Sequence, residues 1–383
     1  MLINNWYVAA YSKDVVEGKP FGVRMLGCDF VLFRDSDGKV ACLSDVCVHR
    51  GASLSRGKVH CNGASVVACP FHGWEFDASG RCTRIPSMGD VKVPKRARVD
   101  SYPVVEKYDW IWVFLGDLPE DKRPPIPDLL PEYDDPNWRS THLLTEVPVN
   151  WTKIEENSID TAHLSFVHAV FGSREDPKAT IVPLEKRPYG YRVYRERTAP
   201  KASQKTGILG ELLSEERTKT SVTLEFSVVG ISHRINPEFR PGMQHVVFSA
   251  TTPVDLYNSR VFSIQARNYA TDPKYDQERI DGRKYAIKED ISVVQHVRPR
   301  VGPTPVTDEF LVEADSMEAA FRRCVNQLID KGWEIDSRKV AEEYDRKVYV
   351  IPSPERRADP KNWVHDAVPT TRPRQEDDAF EIR

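Results

Sequence analysis

The sequence predicts an α+β protein of two domains, in which an all-β domain is followed by a domain that mixes strands and helices. Three observations support this: short strand-like segments broken by turn residues up to about residue 114, a proline-rich segment after them, and longer strand-like and helical segments beyond it. We expect the first domain over residues 1–120, a proline-rich linker over 121–138, the second domain over 139–352 and a polar tail, loosely held on the surface, over 353–383.

The first domain is predicted from its strands and turns. Residues 30–33 and 110–114 are apolar, β-branched or aromatic, as strands require. Turn residues separate such segments at 27–29, 36–38, 61–63 and 78–80. The spacing of these turns suits a small antiparallel β-domain.

The second domain begins after a segment, residues 119–136, whose six prolines and six acidic residues exclude a helix or a central strand. Asn150 is then a candidate cap for a helix that turns Ile154, Ile159 and Ala162 inward. Strands are predicted over residues 191–193, 222–228, 245–250 and 261–264, and helices over 275–297 and 317–331.

Composition and charge restrict the class of protein. Of 383 residues, 40% are hydrophobic, the net charge is −3, and the apolar run at 110–115 is far too short to span a bilayer. We therefore expect a soluble cytoplasmic protein that binds neither nucleic acid nor membranes. Seven cysteines are too few and too unevenly spaced for a disulfide framework, so they are expected to be metal ligands or buried thiols.

Two pairs of metal-ligating residues lie in the first domain: Cys47 with His49, and Cys69 with His72. A [2Fe–2S] cluster of the Rieske type takes two thiolates on one iron and two imidazoles on the other, which these pairs supply. Zinc bound by two cysteines and two histidines is the alternative. Zinc motifs, however, pair cysteine with cysteine and histidine with histidine, whereas each pair here is mixed.

The sequence around the second pair, Cys-Pro-Phe-His-Gly-Trp over residues 69–74, resembles the Rieske domain family. Members from cytochrome complexes carry an additional disulfide between the two loops. The residues directly after each ligand pair, Arg50-Gly51-Ala52 and Gly73-Trp74, include no cysteine, which matches the oxygenase type instead. Trp74 is positioned to shield the cluster from water.

A second motif contains Asn157, Asp160, His163 and His168. Two histidines and one carboxylate form the facial triad of non-heme Fe(II) enzymes. Asp160 and His163 are three residues apart and are expected on one helical face. His163 and His168 are five apart, about 140° on a regular helix, so both bind one metal only if the helix is bulged or ends near His168. Spacing alone leaves a purely structural histidine pair open.

The pattern Asn-x-x-Asp-x-x-His-x(4)-His, about ninety residues after the Rieske motif, is similar to that of Rieske non-heme iron oxygenase α-subunits. The resemblance is to the monooxygenase and O-demethylase branch, such as vanillate and dicamba demethylases. It implies that His163 and His168 bind iron and that Asn157 lies near the metal. It also implies that Asp160 links His163 to the cluster ligand His72 of a neighbouring subunit.

The same resemblance implies a third iron ligand, a carboxylate on a helix in the C-terminal third of the chain. Asp290 fits because it shares a predicted helical face with Ile287, Ile291 and Val294, where a bound metal would remove the cost of burying its charge. Glu289, on an adjacent side predicted to be more exposed, is the second choice. A solvated surface charge at Asp290 is the remaining alternative.

The resemblance implies a Rieske domain followed by a helix-grip (START-like) catalytic domain, assembled as a homotrimer. Electrons from NAD(P)H would arrive through a separate ferredoxin or flavin reductase, because the chain has no dinucleotide-binding glycine motif. With O₂, the enzyme would hydroxylate or oxidatively demethylate an aromatic or other cyclic molecule. An aromatic-ring cis-dihydroxylating dioxygenase and an electron-transfer protein with an inactive second domain are the alternatives. Residues 205–211 are predicted as a surface loop, with a mobile entrance loop as the alternative.

Overall fold

The computed structural model describes residues 1–60, 65–168, 174, 177–178, 181–198, 201–202, 205, 207–216, 218–373 and 380. The predicted turn at 61–63 lies outside this range. The described residues form two compact units: unit 1 lies within residues 1–124, 253–256 and 328–380, and unit 2 within 125–252 and 257–327. Within the described residues, no helix is both long and apolar enough to cross a membrane.

Unit 1 is built on three small sheets, ordered β1-β11-β10, β2-β3-β4-β9 and β5-β6-β7-β8, whose neighbouring strands are antiparallel. Its first eleven strands are β1 (Asn5–Tyr11), β2 (Phe21–Met25), β3 (Cys28–Arg34), β4 (Val40–Ser44), β5 (Lys58–His60), β6 (Val66–Ala68), β7 (Glu75–Asp77), β8 (Cys82–Arg84), β9 (Ser101–Tyr102), β10 (Val104–Lys107) and β11 (Trp110–Leu115). The two predicted strands correspond to parts of β3 and β11. Every residue of β11 is fully buried, which explains its uninterrupted apolar sequence.

The C-terminal segment is well packed, and the prediction of a loosely held tail from residue 353 is wrong. Ser353 is fully buried, and Arg356 forms an ion pair with Asp100, with Nη2 to Oδ2 at 2.6 Å and Nε to Oδ1 at 3.0 Å. The Trp363 ring is contacted by two guanidinium groups, that of Arg98 at 3.8 Å and that of Arg356 at 4.4 Å from its centroid. The polar residues that suggested solvent exposure therefore pair with buried charges of unit 1.

Unit 2 contains a seven-stranded antiparallel sheet in the order β12-β18-β17-β16-β15-β14-β13, together with helices. Its strands are β12 (Arg139–Val147), β13 (Glu185–Arg187), β14 (Gly190–Thr198), β15 (Lys219–Ser227), β16 (Ser232–Arg240), β17 (Met243–Pro253) and β18 (Ser259–Arg267). The helices are α1 (Trp151–Ile159), α2 (Leu164–Val167), α3 (Gly207–Leu212), α4 (Asp276–Val294) and α5 (Ser316–Asp330), the last of which ends in unit 1. The expected antiparallel sheet with accompanying helices is confirmed.

The remaining elements belong to the C-terminal part of unit 1. They are α6 (Ser337–Glu343), β19 (Tyr349–Val350), α7 (Pro354–Ala358) and β20 (Asp366–Ala367). Strands β19 and β20 form a parallel pair.

The longest helix, α4, is held against the sheet of unit 2 by an apolar cluster. Ile287 and Val294 of α4 pack with Ile154 of α1 and with Leu143 and Val261 of strands β12 and β18. This packing fixes the face of α4 that carries Asp290, and it keeps α1 beside α4. The predicted helix at 275–297 is thus observed over a slightly shorter range.

Candidate metal centres

The two loops that carry the Cys/His pairs have the same backbone construction. The Cys47 carbonyl accepts from the Gly51 amide at 2.9 Å, and the Cys69 carbonyl accepts from the Gly73 amide at 3.0 Å. Both glycines have positive φ, 73° and 69°, a conformation that costs little only without a side chain. The first loop lies between strands β4 and β5, and the second lies between β6 and β7. The tight turn in each loop places its cysteine and histidine close together.

The cysteines and the histidines differ in exposure. Cys47 and Cys69 are 1% and 4% exposed, whereas His49 and His72 lie at the surface with ring centroids 4.5 Å apart. Trp74 stacks on His49 at 4.7 Å with the rings almost parallel. Thiolates toward the core and imidazoles toward solvent give a metal group one shielded side and one accessible side.

These four residues fit a two-iron cluster better than a single zinc ion. Ligands of one ion converge, but among the described His, Cys, Asp and Glu residues only one trio has ligand atoms within 4.8 Å of one another, and it lies in unit 2. Burial raises the pKa of Cys47 to about 12, so its thiolate requires positive charge from a metal. The set of two buried thiols and two neighbouring imidazoles matches the ligands of a Rieske cluster.

In unit 2, the second motif folds as a helix that breaks and restarts. Asn150 caps α1 as predicted, and its side chain accepts from the Thr152 amide at 3.1 Å. The helix ends at Ile159, where the extended backbone of Asp160 breaks it, and α2 begins after His163. The expectation that Asp160 and His163 share a helical face is therefore wrong.

The break brings the two histidines together. His163 and His168 flank α2, and their ring centroids are 5.3 Å apart. The sequence required a bulge or a helix end for both to reach one metal, and a helix end is what the structure contains. Ala162, expected on the buried face of α1, instead follows the helix and donates its amide to Asp160 at 2.5 Å.

The two histidines point their Nε2 atoms at one carboxylate oxygen. Oδ1 of Asp290 lies 3.5 Å from Nε2 of His163 and 3.2 Å from Nε2 of His168. These residues form the trio whose ligand atoms lie within 4.8 Å of one another. Oδ1 of Asp290 is buried without a hydrogen-bond partner, as expected for an atom whose natural partner is a cation. Two imidazoles and one carboxylate fit a facial triad.

A second carboxylate lies beside the other ring nitrogen of each histidine. Oδ2 of Asp160 is 3.3 Å from Nδ1 of His163, and Oε2 of Glu289 is 2.9 Å from Nδ1 of His168. Such partners fix the orientation of a metal-binding imidazole and raise its basicity. Glu289, the second choice for a ligand, therefore contacts the far side of His168. It is also no more exposed than Asp290, since the two side chains are 15% and 18% exposed.

The close approach of carboxylates and imidazoles shifts the pKa values of the trio. Burial alone would raise the pKa of Asp290, but the two histidines and the Asn157 side chain hold it well below its ordinary value. Burial alone would lower the pKa of His163, yet Asp160 and Asp290 raise it to about 9. The carboxylates thus attract positive charge to this position, and a bound metal would supply it. Asn157, expected near the metal, bonds to Asp290.

The trio lies on the wall of a cavity of about 360 Å³ in unit 2. Its apolar lining includes Val193, Leu224, Ile235, Phe239 and Val247. Residues 207–211, predicted as part of a surface loop, belong to helix α3, from which Leu209 lines the cavity. The sequence did not predict the wall residues, because they come from five elements whose proximity depends on the fold.

Comparison with known proteins identifies both halves of the chain. Residues 5–103 match the Rieske [2Fe-2S] domain, and residues 147–331 match the vanillate O-demethylase oxygenase C-terminal domain. The chain belongs to the Rieske non-heme iron oxygenases. The two matched ranges contain all the residues assigned above to the two metal centres.

Individual relatives agree with this assignment. The chain is 27% identical to the methylxanthine N1-demethylase NdmA of Pseudomonas putida, over 81% of this chain and 82% of NdmA. It is 38% identical to the oxygenase component of dicamba O-demethylase from Stenotrophomonas maltophilia, over 43% of this chain and 47% of that protein. It is 35% identical to chlorophyllide a oxygenase of Chlamydomonas reinhardtii, over 44% of this chain and only 24% of the algal protein.

A solved structure confirms the fold. Dicamba monooxygenase bound to dicamba superimposes with a TM-score of 0.69 at 24% identity, over 86% of this chain and 97% of that one.

Proposed function

We propose that the protein is the terminal oxygenase component of a multicomponent Rieske monooxygenase, which hydroxylates or oxidatively demethylates an aromatic or other cyclic organic molecule. The observation that carries this proposal is the trio of His163, His168 and Asp290 on the wall of a mainly apolar cavity. A cavity of about 360 Å³ is large enough for a small cyclic substrate. Its position beside the trio would bring the substrate next to the metal.

His163, His168 and Asp290 would hold one Fe(II) and leave coordination positions open on the cavity side. When bound, Fe(II) there supplies activation of O₂. Asp160 and Glu289 would keep the two imidazoles oriented, with Nδ1 protonated and Nε2 free for the metal. The apolar walls would exclude water from the reacting carbon.

Cys47, His49, Cys69 and His72 would hold the [2Fe–2S] cluster that delivers electrons. A separate ferredoxin or flavin reductase would reduce it at the expense of NAD(P)H. The exposed imidazoles of His49 and His72 are suited to face a redox partner or another subunit. We expect the reaction to serve the breakdown of aromatic compounds. We also expect the protein to be cytoplasmic.

The electron would then pass between subunits of a homotrimer, from the cluster of one to Asp160 of the next. Asp160 is suited to this role because one carboxylate oxygen is 3.3 Å from His163 while the side chain stays 28% exposed. Asp160→Asn should retain both metals but slow the single-turnover oxidation of the reduced cluster, because the bridge loses its charge. An unchanged rate, or a monomeric holoenzyme with full activity, would contradict this route.

Product analysis under ¹⁸O₂ tests the reaction itself. Holoenzyme with a reductase and a panel of methoxylated and methylated aromatic compounds should give products with one hydroxyl group, or formaldehyde together with the demethylated compound. Products with two hydroxyl groups on adjacent ring carbons would favour ring dihydroxylation. His163→Ala should abolish turnover with the visible spectrum of the cluster unchanged, and turnover retained in this variant would refute the assignment of the iron site.

A further inference from the structure

The cavity beside the trio carries an excess of basic side chains. Two arginines lie on strand β14, two on helix α4, and a lysine precedes helix α3; these five lining residues are Arg195, Arg197, Arg279, Arg283 and Lys205. Among the described lining residues the acidic ones are Asp160, Glu289 and Asp290, and all three surround the two histidines. The cavity therefore has an acidic end that would be neutralised by a metal and a basic remainder.

Several of these arginines retain buried donors without an acceptor. The Nε atoms of Arg197, Arg279 and Arg283 are buried and have no hydrogen-bond partner among the described residues. Arg197 donates Nη2 to the backbone carbonyl of Glu238, and Arg279 contacts the Glu278 carboxylate through Nη2 at 2.5 Å. A buried donor without an acceptor is costly, and charged donors more so, so a ligand with acceptor oxygens would complete these sites.

Neighbouring groups respond to the positive charge. Burial, together with the charges of Arg279, Arg267 and Arg283, lowers the pKa of His245 to about 3. Burial, with Arg197 and Arg279, also lowers the pKa of Lys205 to about 8. His245 is thus a neutral donor or acceptor, and its Nδ1 lies 3.2 Å from the hydroxyl of Tyr269.

Helix geometry gives the axial separation between Asp290 and the α4 residues that carry two of the basic groups. Arg279, Arg283 and Asp290 occupy α4 at spacings of four and seven residues, which places them on one side of the helix. At a rise of about 1.5 Å per residue, Arg283 is about 10 Å and Arg279 about 16 Å from Asp290 along the axis. The first of these separations is longer than an aromatic ring, and Arg283, Asp290 and the apolar side chains all line the same cavity.

We propose that the substrate is an organic anion with an apolar cyclic body, whose carboxylate or sulfonate group is bound by Arg197, Arg279 and Arg283 while the carbon to be oxidised lies across the ring at the trio. The inference rests on the proposed function because it takes this cavity as the substrate site. Planar guanidinium groups bind oxyanions through two parallel hydrogen bonds, which gives both affinity and orientation. Neutral analogues of the same shape would leave the arginines without acceptors.

Matched pairs of compounds test this directly. Binding to the anaerobic holoenzyme without reductant is measured by calorimetry for 4-methoxybenzoate against 4-methoxybenzamide, 3-(4-methoxyphenyl)propanoate against its amide, and 4-methylbenzenesulfonate against its sulfonamide. In at least one pair the anion should bind about tenfold or more tightly than its neutral partner. The carboxylate and sulfonate pairs distinguish the two anionic groups. No preference for the anion in any pair, including no binding at millimolar concentration, would overturn the proposal.

Variants locate the binding group. Arg283→Gln and Arg197→Gln should each weaken binding of the preferred anion by about tenfold or more, and leave binding of the amide within about twofold. Lys284→Gln is the matched control, because Lys284 is exposed on the same helix and does not line the cavity. If Lys284→Gln lowers the preference for the anion over the amide as much as the arginine variants do, general charge attraction explains the preference. The proposed binding site would then be refuted. These experiments measure binding and not turnover, so a lack of preference for the anion would leave the proposed oxygenase function intact. Conversely, an enzyme without turnover that still prefers the anion would leave the proposed anion site intact.

Discussion

The contact between Glu289 and His168 leads to a quantitative prediction about iron affinity. Oε2 of Glu289 lies 2.9 Å from Nδ1 of His168, and the two side chains are only 15% and 4% exposed. Solvent therefore screens this pair weakly. Loss of such a carboxylate partner typically lowers metal affinity by about 10- to 100-fold, or about 1.4–2.7 kcal/mol. We expect Glu289→Ala to fall in the upper half of that range, and Glu289→Gln to lose less because its amide oxygen can still accept from Nδ1.

The assay is an anaerobic Fe(II) titration in competition with a chelator. The absorbance of the [2Fe–2S] cluster, whose expected ligands are all in unit 1, should not change. Asp281→Asn provides the control, since Asp281 is an exposed carboxylate on the same helix. Unaltered Fe(II) affinity in Glu289→Ala would refute the orienting role. Loss as severe as that in His168→Ala would show instead that Glu289 binds the metal itself.

Two further predictions concern stability. Burial and nearby acidic groups, Asp160 among them, raise the pKa of Glu318 to about 8. The folded state therefore holds the proton of Glu318 more tightly than the unfolded chain does. As a result, the free energy of unfolding decreases as pH rises from about 4.5 to 8. Glu318→Gln should match the native protein near pH 4 and be more stable by roughly 4–5 kcal/mol at pH 8.5 in urea unfolding, and equal stabilities at both pH values would contradict this. Arg356→Ala should destabilise unit 1 by about 3–5 kcal/mol because it leaves the Asp100 carboxylate buried without its cation, whereas Arg357→Ala, which breaks a more exposed pair, should cost less than about 1 kcal/mol. Equal effects of the two substitutions on guanidinium unfolding would show that the tail is loosely held after all.

The proposed ligand residues were predictable because their signals are local. The Cys/His pairs and the histidines at 163 and 168 lie within short segments, where residue type and spacing already restrict the chemistry. The alternation and apolar runs that predict strands are local as well, so β11 and four strands of the unit 2 sheet, β14, β15, β17 and β18, were recovered.

Features that depend on distant contacts were missed. Glu289 meets His168 across 121 residues, and Arg356 meets Asp100 across 256, and neither pairing leaves a trace in the local sequence. Strand β16 was missed for another reason, because Pro237 within it argues against a strand. There the ladder with β17 shifts register between Glu238 and Arg240, an irregularity close to the proline.

The basic side of the cavity illustrates the same limit. Arg279 and Arg283 are ordinary helix residues in the sequence, where charges on α4 suggest a solvated face. Only the packing of α4 against the sheet turns them toward the cavity, and only there does the lack of acceptors for their Nε atoms become visible.

Iron and acid-labile sulfide per chain, determined on anaerobically purified protein together with the visible spectrum, test the central claim most directly. A Rieske cluster plus one Fe(II) at His163, His168 and Asp290 predicts about three irons and two sulfides per chain. About two irons and two sulfides after reconstitution with Fe(II) would contradict the catalytic iron and leave an electron carrier. Zinc without sulfide would contradict both metal centres.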